Sequence, residues 1–278
     1  SEVSNQKHFS SKLKIKNASM NSKEIRKNDL FFAIKGKYKN GNLFVKEAFN
    51  KGASLAVVNK FNNSKYISRQ IKVKNTLNFL TKISSILREN VSSEIIAITG
   101  SCGKTSLKEL IGKSLKKICK VTYSPKSFNN KYGVPLSLFN LNLNDDFGIF
   151  EIGMDKKGEI DFLSKIIQPD VGIITNISYA HAKNFNNIQE IALAKSEIIN
   201  NIKKNGSVVL NGDDKFYNLH KKIALKKKLR VYTFGTKRND IDIKLHSIKK
   251  EEKKYKIFVI SNNQKIHFYT SSNFKNNI

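Results

Sequence analysis

Two glycines, a lysine and several hydroxyl side chains fall within eight positions in the run Thr99-Gly100-Ser101-Cys102-Gly103-Lys104-Thr105-Ser106. Glycines three apart let the backbone turn tightly, so that consecutive N–H groups face one anionic ligand. A following helix N-terminus adds a partial positive charge and Lys104 a full one. Thr105 then offers a hydroxyl to the magnesium ion that accompanies a nucleoside triphosphate. The chemistry implied is phosphate binding by Gly100, Ser101, Cys102, Gly103, Lys104, Thr105 and Ser106. The longer spacing G-x-x-x-x-G-K-[ST] needs a glycine at position 98, where the chain has Ile98, so the motif is the short form. An ordinary Gly-containing strand-to-helix turn is the alternative reading of the same residues.

Other polar residues stand at the ends of apolar runs. Glu151 closes Phe147-Gly148-Ile149-Phe150, where a carboxylate can ligate magnesium, since hard divalent cations take oxygen ligands. Alone it reads equally as a solvated strand-end carboxylate. His181 follows Asn176-Ile177-Ser178, and Lys195 lies in the amphipathic run Ala192–Ile198. Singly, these are a surface histidine and a solvated lysine. Asn211-Gly212-Asp213-Asp214 reads as an Asx turn capping a helix that starts near Asp214. Asn129 and Asn130 lie in the loop-like segment Ser127–Pro135.

The elements that must position these residues are legible from periodicity. From Glu94 onward, strand patterns at Glu94–Thr99, Phe147–Ile152, Val171–Asn176, Ser207–Asn211 and Arg230–Phe234 alternate with helical ones. One such helix carries Leu107, Leu110, Ile111, Leu115 and Ile118. This alternation predicts an α/β, doubly wound, mostly parallel sheet of the P-loop ATPase type, with ligands at the C-terminal strand ends. Residues 1–90 read as a smaller α/β domain, with a strand run Asp29–Gly36, a helix Phe44–Lys51, a strand Leu55–Val58 and a helix Thr76–Glu89. The pattern breaks at Asn90–Ser93, so the second domain is taken as residues 91–278. Its last stretch, from Asp240, reads as a hairpin.

At 278 residues the chain has room for two ordinary cores. Its 39% hydrophobic content includes no run long enough to span a bilayer, and Ser1–Ser10 lacks the apolar core of a secretory signal. Cys102 and Cys119 are the only cysteines, which points to a reducing, cytoplasmic setting rather than a disulfide framework. The net charge of +29 invites a nucleic-acid reading. Against it, arginine occurs only at positions 26, 69, 88, 230 and 238, while lysine is scattered through every segment. The excess reads as compositional bias with a solvated basic surface, and no nucleic-acid or membrane partner is expected.

Taken in order, the loop 99–106, Asn129-Asn130-x-x-Gly133-Val134-Pro135, Glu151-Ile152-Gly153-Met154, Gly158-Glu159-Ile160, Asn176, Ala180-His181, Ala194-Lys195-x-Glu197-Ile198 and Asn211-x-Asp213-Asp214 resemble the Mur ligases. The set is most similar to members that join D-alanyl-D-alanine to UDP-N-acetylmuramoyl tripeptide. Residues 29–53 are similar to that family's UDP-substrate domain. The resemblance implies an ATP-dependent ligase of peptidoglycan precursor synthesis, acting through an acyl phosphate as a cytoplasmic monomer. It implies that Lys104 and the loop amides hold the ATP phosphates, and that Thr105 and Glu151 bind one Mg2+. His181 and Lys195 bind a second, the lysine being carbamylated. It further implies that Asn129 or Asn130 contacts phosphate, that Asn211, Asp213 and Asp214 lie near the adenosine, and that Ser22, Lys35 and Gly36 serve the UDP-linked substrate. The chain has Asn21-Ser22-Lys23 where the family commonly has an acidic-Ser-Arg triplet. A third, C-terminal domain of the family is expected to be absent, leaving a truncated chain that binds ATP weakly. A Mur ligase adding the third amino acid, or a non-catalytic nucleotide-binding module, are the alternatives.

Overall fold

The computed structural model describes residues 15–36, 38–61, 64–179, 184–252 and 254–270. It divides into two compact units, Ser1–Val91 with Pro135–Leu143, and Ser92–Val134 with Asn144–Ile278. The exchange of Pro135–Leu143 into the first unit has no signal in the sequence. Within that unit, the Asn140 side chain accepts from Ala18 N (2.6 Å) and donates to Ala18 O (2.9 Å). The Phe139 ring meets Phe32 edge-on at 5.7 Å.

The first unit carries a four-stranded parallel sheet in the order β1 (Ala18–Ser19), β2 (Leu30–Phe32), β3 (Leu55–Val58), β4 (Gln70–Lys72). Every residue of β3 is buried, as expected of a central parallel strand. Phe31, Val45, Ala48, Phe49, Ala56 and Val58 form a core between this sheet and α1 (Val45–Asn50). In α2 (Thr76–Glu89), the Asn75 side chain accepts from Leu77 N and Asn78 N, an N-cap worth about 1 kcal/mol. The strand run expected over Asp29–Gly36 is shorter, Leu30–Phe32. After Ala33 the chain turns back and Gly41 N donates to Ile34 O at 2.9 Å. A side chain at Gly41 would meet the Ala33 backbone at 2.6 Å, so apolar residues here continue into a turn.

In the second unit β5 (Glu94–Thr99) leads into α3 (Lys104–Leu115), β6 (Val121–Tyr123) and α4 (Gly133–Phe139), which runs on into the segment assigned to the first unit. Then follow β7 (Phe147–Glu151), α5 (Glu159–Ile167), β8 (Val171–Ile174), α6 (Ile188–Asn200), β9 (Ser207–Asn211), α7 (Tyr217–Lys226) and β10 (Arg230–Gly235). The sheet order is β6-β7-β5-β8-β9-β10, all parallel. The chain leaves β5 toward β7 and β6 on one side and later returns to place β8 on the other. β5 is therefore the switch point, where a crevice opens at the strands' C-terminal ends. Helix α7 starts at Tyr217 rather than Asp214, because Asp214 first spends its carboxylate on Phe216 N (2.8 Å).

Where a hairpin is expected after Asp240, the structure has a three-stranded extension, β11 (Ile243–Glu251), β12 (Lys254–Ser261) and β13 (Gln264–Thr270). β11 pairs parallel to β10, and the other two pairs are antiparallel. A register shift between Leu245 and Ser247 breaks the alternation that would have marked β11 in the sequence. No helix among the described residues is long and apolar enough to cross a membrane.

Candidate active site

The glycine-rich loop leaves β5 from a dry strand: Ile95, Ala97, Ile98 and Thr99 are fully buried. Gly100 has φ +145°, and a Cβ on it would sit 1.9 Å from Thr175 Oγ1, so both conformation and space demand glycine. Gly103 is left-handed at φ +80° with open space around it, so there conformation alone demands glycine. It brings no capping side chain to α3, which leaves the helix's first N–H groups facing outward for an anion.

The turn after β8 fastens this loop. Ser101 N donates to Asn176 O (2.9 Å) and Cys102 N to Asn176 Oδ1 (2.9 Å). Thr175 Oγ1 donates to Cys102 O (2.7 Å), and Ser178 N donates to Ser101 Oγ (2.8 Å). Thr175 and Ser178 carry no motif; only the geometry shows that they hold the loop in shape. Lys104 is half-buried and folds across the loop, its Nζ donating to Gly100 O at 2.8 Å. Burial pulls its pKa down, opposed by the Glu151 carboxylate and Cys102.

Glu151 lies at the end of β7, 1% exposed. Its Oε2 accepts from Thr105 Oγ1 at 2.6 Å, and its Oε1 from Asn129 Nδ2 at 2.8 Å. Asn129 is in turn fixed by Gly153, whose N–H donates to Asn129 O at 2.7 Å. Three residues from separate segments thus meet below the phosphate loop. Asn130 has a different task, accepting from Tyr132 N and Gly133 N at 3.0 Å each at the start of α4.

Lys195, on the buried face of α6, is 2% exposed. Burial, and then the Lys104 cation, push its pKa down to about 7, with Cys102 opposing. No hydrogen bond or ion pair to this amine occurs among the described residues. His181 lies outside the described residues. Asn211, Asp213 and Asp214 gather the turns after β8, β9 and β10: Asn211 Nδ2 donates to Thr175 O (3.3 Å) and Asp214 Oδ2 accepts from Ile177 N (2.7 Å). Asp213 accepts from Thr236 N, Thr236 Oγ1 and Lys237 N at 2.6, 2.8 and 3.0 Å. Burial raises its pKa, but these donors outweigh burial and hold it below the ordinary carboxylate range. In the first unit, Ser22 is buried and donates to Glu47 Oε2 (2.8 Å), Lys35 bridges to Asn40, and Gly36 N donates to Lys39 O (2.9 Å).

A cavity of about 630 Å3 opens beside Lys104 and Asn129, walled by residues 130–132 and by the turn that precedes α5. Sequence reasoning missed this wall, since Lys131, Lys156 and Lys157 look like any other lysines of the chain. The whole arrangement suits a nucleoside polyphosphate at the loop and a second ligand reaching it through the cavity.

Comparison with known proteins agrees with this geometry. The Mur ligase middle domain matches residues 98–277, and the catalytic domain of the Mur ligase family matches residues 14–91. A UDP-N-acetylmuramoyl-tripeptide–D-alanyl-D-alanine ligase of Rickettsia prowazekii is 35% identical over 219 residues, covering 77% of this chain and 48% of that protein. The UDP-N-acetylmuramoylalanyl-D-glutamyl-2,6-diaminopimelate–D-alanyl-D-alanyl ligase of Acinetobacter baumannii superposes with a TM-score of 0.79 at 27% identity, over 95% of this chain and 57% of that one. MurF ligase from Thermotoga maritima, solved in complex with ADP, gives a TM-score of 0.77 at 28% identity, over 92% and 58%. The chain spans about half the length of these relatives. On sequence, fold and the build of its phosphate loop, the chain belongs to the Mur ligase family.

Proposed function

We propose that this chain is the nucleotide- and UDP-substrate-binding part of an ATP-dependent ligase that joins D-alanyl-D-alanine to UDP-N-acetylmuramoyl tripeptide in peptidoglycan synthesis. The observation that carries the reading is the Thr105–Glu151 contact of 2.6 Å directly below the Lys104 loop, an oxygen pair set where a triphosphate and its metal belong. The relatives named above supply the choice of amine.

In the reaction, an oxygen of the tripeptide's terminal carboxylate attacks the γ-phosphorus of ATP, and ADP leaves with the bridging electron pair. The dipeptide amine then attacks the acyl carbon, phosphate departs and the amine loses a proton. On this reading Lys104 and the α3 N-terminus answer the charge that gathers on the transferred group, while the Ser101 and Cys102 amides are spent on Asn176 and hold the loop in shape. Asn129 and Asn130 lie on the phosphate side. Asn211, Asp213 and Asp214 shape the adenosine side through the turns they hold together. Ser22, Lys35 and Gly36 serve the uridine nucleotide.

The hydroxyl of Thr105 and the carboxylate of Glu151 are hard oxygen donors suited to Mg2+. Among the described residues, no group of three or more His, Cys, Asp or Glu side chains converges. A magnesium ion would rest on Thr105, Glu151 and phosphate oxygens, neutralising phosphate charge when bound. The amine of Lys195 also fits its expected modification. With a pKa of about 7 it is near half neutral at pH 7. The neutral amine can add to the carbon of CO2, releasing one proton and leaving a carbamate anion. That change replaces a repulsion with Lys104 by an attraction, and with His181 it provides for a second metal. The protein works in the cytoplasm as a monomer on this reading.

The test is an amine competition, with the protein extended to its relatives' length and given ATP, Mg2+ and UDP-N-acetylmuramoyl tripeptide. Consumption of D-alanyl-D-alanine with equimolar phosphate release and formation of the pentapeptide product supports the proposal. Consumption of a single amino acid in its place overturns it.

A further inference from the structure

The larger sheet ends on one side in β6, three residues long, and on the other in β13, seven residues long. Short strands, bulges and prolines keep sheet edges from pairing with foreign strands. β13 has none of these: it pairs with β12 without a register shift, contains no proline, and is exposed from Gln264 to Tyr269. Among the described residues no strand lies on its outer side, so alternate N–H and C=O groups face outward there. The two faces of this edge differ. On one, Ile248, Ile257 and Phe268 lie abreast across β11, β12 and β13, with Val259 beside Ile266. Ile257 is 4% exposed, but Ile266 and Phe268 are each 48% exposed, so the apolar layer is left open at the edge. On the other face, the Nζ atoms of Lys249, Lys256 and Lys265 gather at 5.8, 5.4 and 4.9 Å from the Phe258 ring centroid. None of the three forms an ion pair with a described residue.

We infer that β13 accepts an added strand from a partner protein, an extended segment in which acidic and apolar residues alternate. Successive side chains of a strand point to opposite faces. One register therefore sets the segment's carboxylates on the lysine face, beside Lys265, and its apolar side chains against Ile266 and Phe268, while its main chain completes the open ladder. Lys265 leans back over β12 toward Phe258, which leaves the ladder accessible and favours an acidic strand over a basic one. A second copy of this chain is disfavoured, because it would set two molecules of net charge +29 edge to edge. A nucleic acid or an anionic membrane would answer the lysines and leave the ladder unpaired. The inference is independent of the ligase reading.

Fluorescence anisotropy with labelled peptides of the length of β13 tests this, one alternating Glu and Val, one alternating Lys and Val, and one of Glu alone. The Glu/Val peptide is expected to bind about 10-fold or more tightly than either of the others, and to slow amide hydrogen exchange across residues 264–270. Lys265→Glu should weaken it by about 10-fold and strengthen the Lys/Val peptide, with the melting temperature unchanged because the position is exposed. No binding of the Glu/Val peptide overturns the proposal. Equal binding of the Glu-only peptide, or binding without slowed exchange in β13, overturns it in favour of a polyanion on the lysine face. Concentration-dependent dimerisation that slows the same amides without peptide gives the edge to a second copy and also overturns it. So does loss of peptide binding when the protein is extended to its relatives' length.

Discussion

Replacing Lys195 with methionine should make the protein more stable, although it removes a residue of the site. The lysine is buried with an amine that titrates near 7 instead of 10.5. At about 1.4 kcal/mol for each pH unit, that gap amounts to about 5 kcal/mol of disfavoured charge, of which about 4 remains at pH 7. Relaxation of the site and water entry reduce what is recovered, so an increase of about 2–4 kcal/mol is expected from Lys195→Met. That corresponds to about 4–16 °C in melting temperature for a unit of this size. The pH dependence is diagnostic. The folded chain releases this proton near pH 7 and the unfolded chain near 10.5, so the unfolded state holds more protons between those values. Wild-type stability therefore gains from this group as pH rises through the window. Methionine lacks that gain, so its advantage is greatest at pH 7 and below and closes toward pH 10.5. Urea melts of both proteins from pH 6 to 10 in carbonate-free buffer with chelator read this directly. A variant no more stable than wild type at pH 7, or an advantage that stays constant with pH, refutes the reasoning.

Gly100→Ala pushes a methyl to 1.9 Å from Thr175 Oγ1 at a positive φ, and should cost more than about 3 kcal/mol in denaturant melts. Adding Thr175→Ala should recover part of that by clearing the space while the backbone strain stays. Glu151→Gln keeps partners for Thr105 and Asn129, so its melting curve should stay within about 1 kcal/mol of wild type while calorimetry shows magnesium-dependent ADP binding weakened by about 10-fold or more. Asp213→Ala strips the acceptor from Thr236 and Lys237 and should cost about 1–3 kcal/mol at pH 7. Because that carboxyl titrates below its ordinary range, the cost is full above about pH 4 and fades as pH falls further, as melts at pH 7 and pH 3 will show.

What could be read from the sequence follows how local its cause is. The strands Glu94–Thr99 and Ser207–Asn211 and the helix Thr76–Glu89 match their patterns to the residue, because each carries its apolar residues in a local run or repeat bounded by polar residues. β11 escaped because its bulge breaks the period, and β6 because three residues are too few to show one. The glycine-rich loop was legible because its two glycines at fixed spacing answer to positive φ angles, at Gly100 reinforced by the approach of Thr175. Its supports were not. Thr175 and Ser178 act through contacts across 70 or so residues, and Asn129 reaches Glu151 only because β7 and the turn before α4 converge. The state of Lys195 was hidden for a similar reason. In a chain with 51 basic residues, the lowered pKa of one lysine follows from its burial and from the charge of Lys104, neither of which is visible in the sequence.

The central claim, that the loop after β5 holds nucleotide through Lys104, is tested most directly by calorimetric titration of Mg2+ and ADP into this chain and into Lys104→Ala. Measurable binding to the wild type, weakened at least about 100-fold in the variant, is the expected result. Equal affinity in the two proteins would place the nucleotide elsewhere and contradict the account.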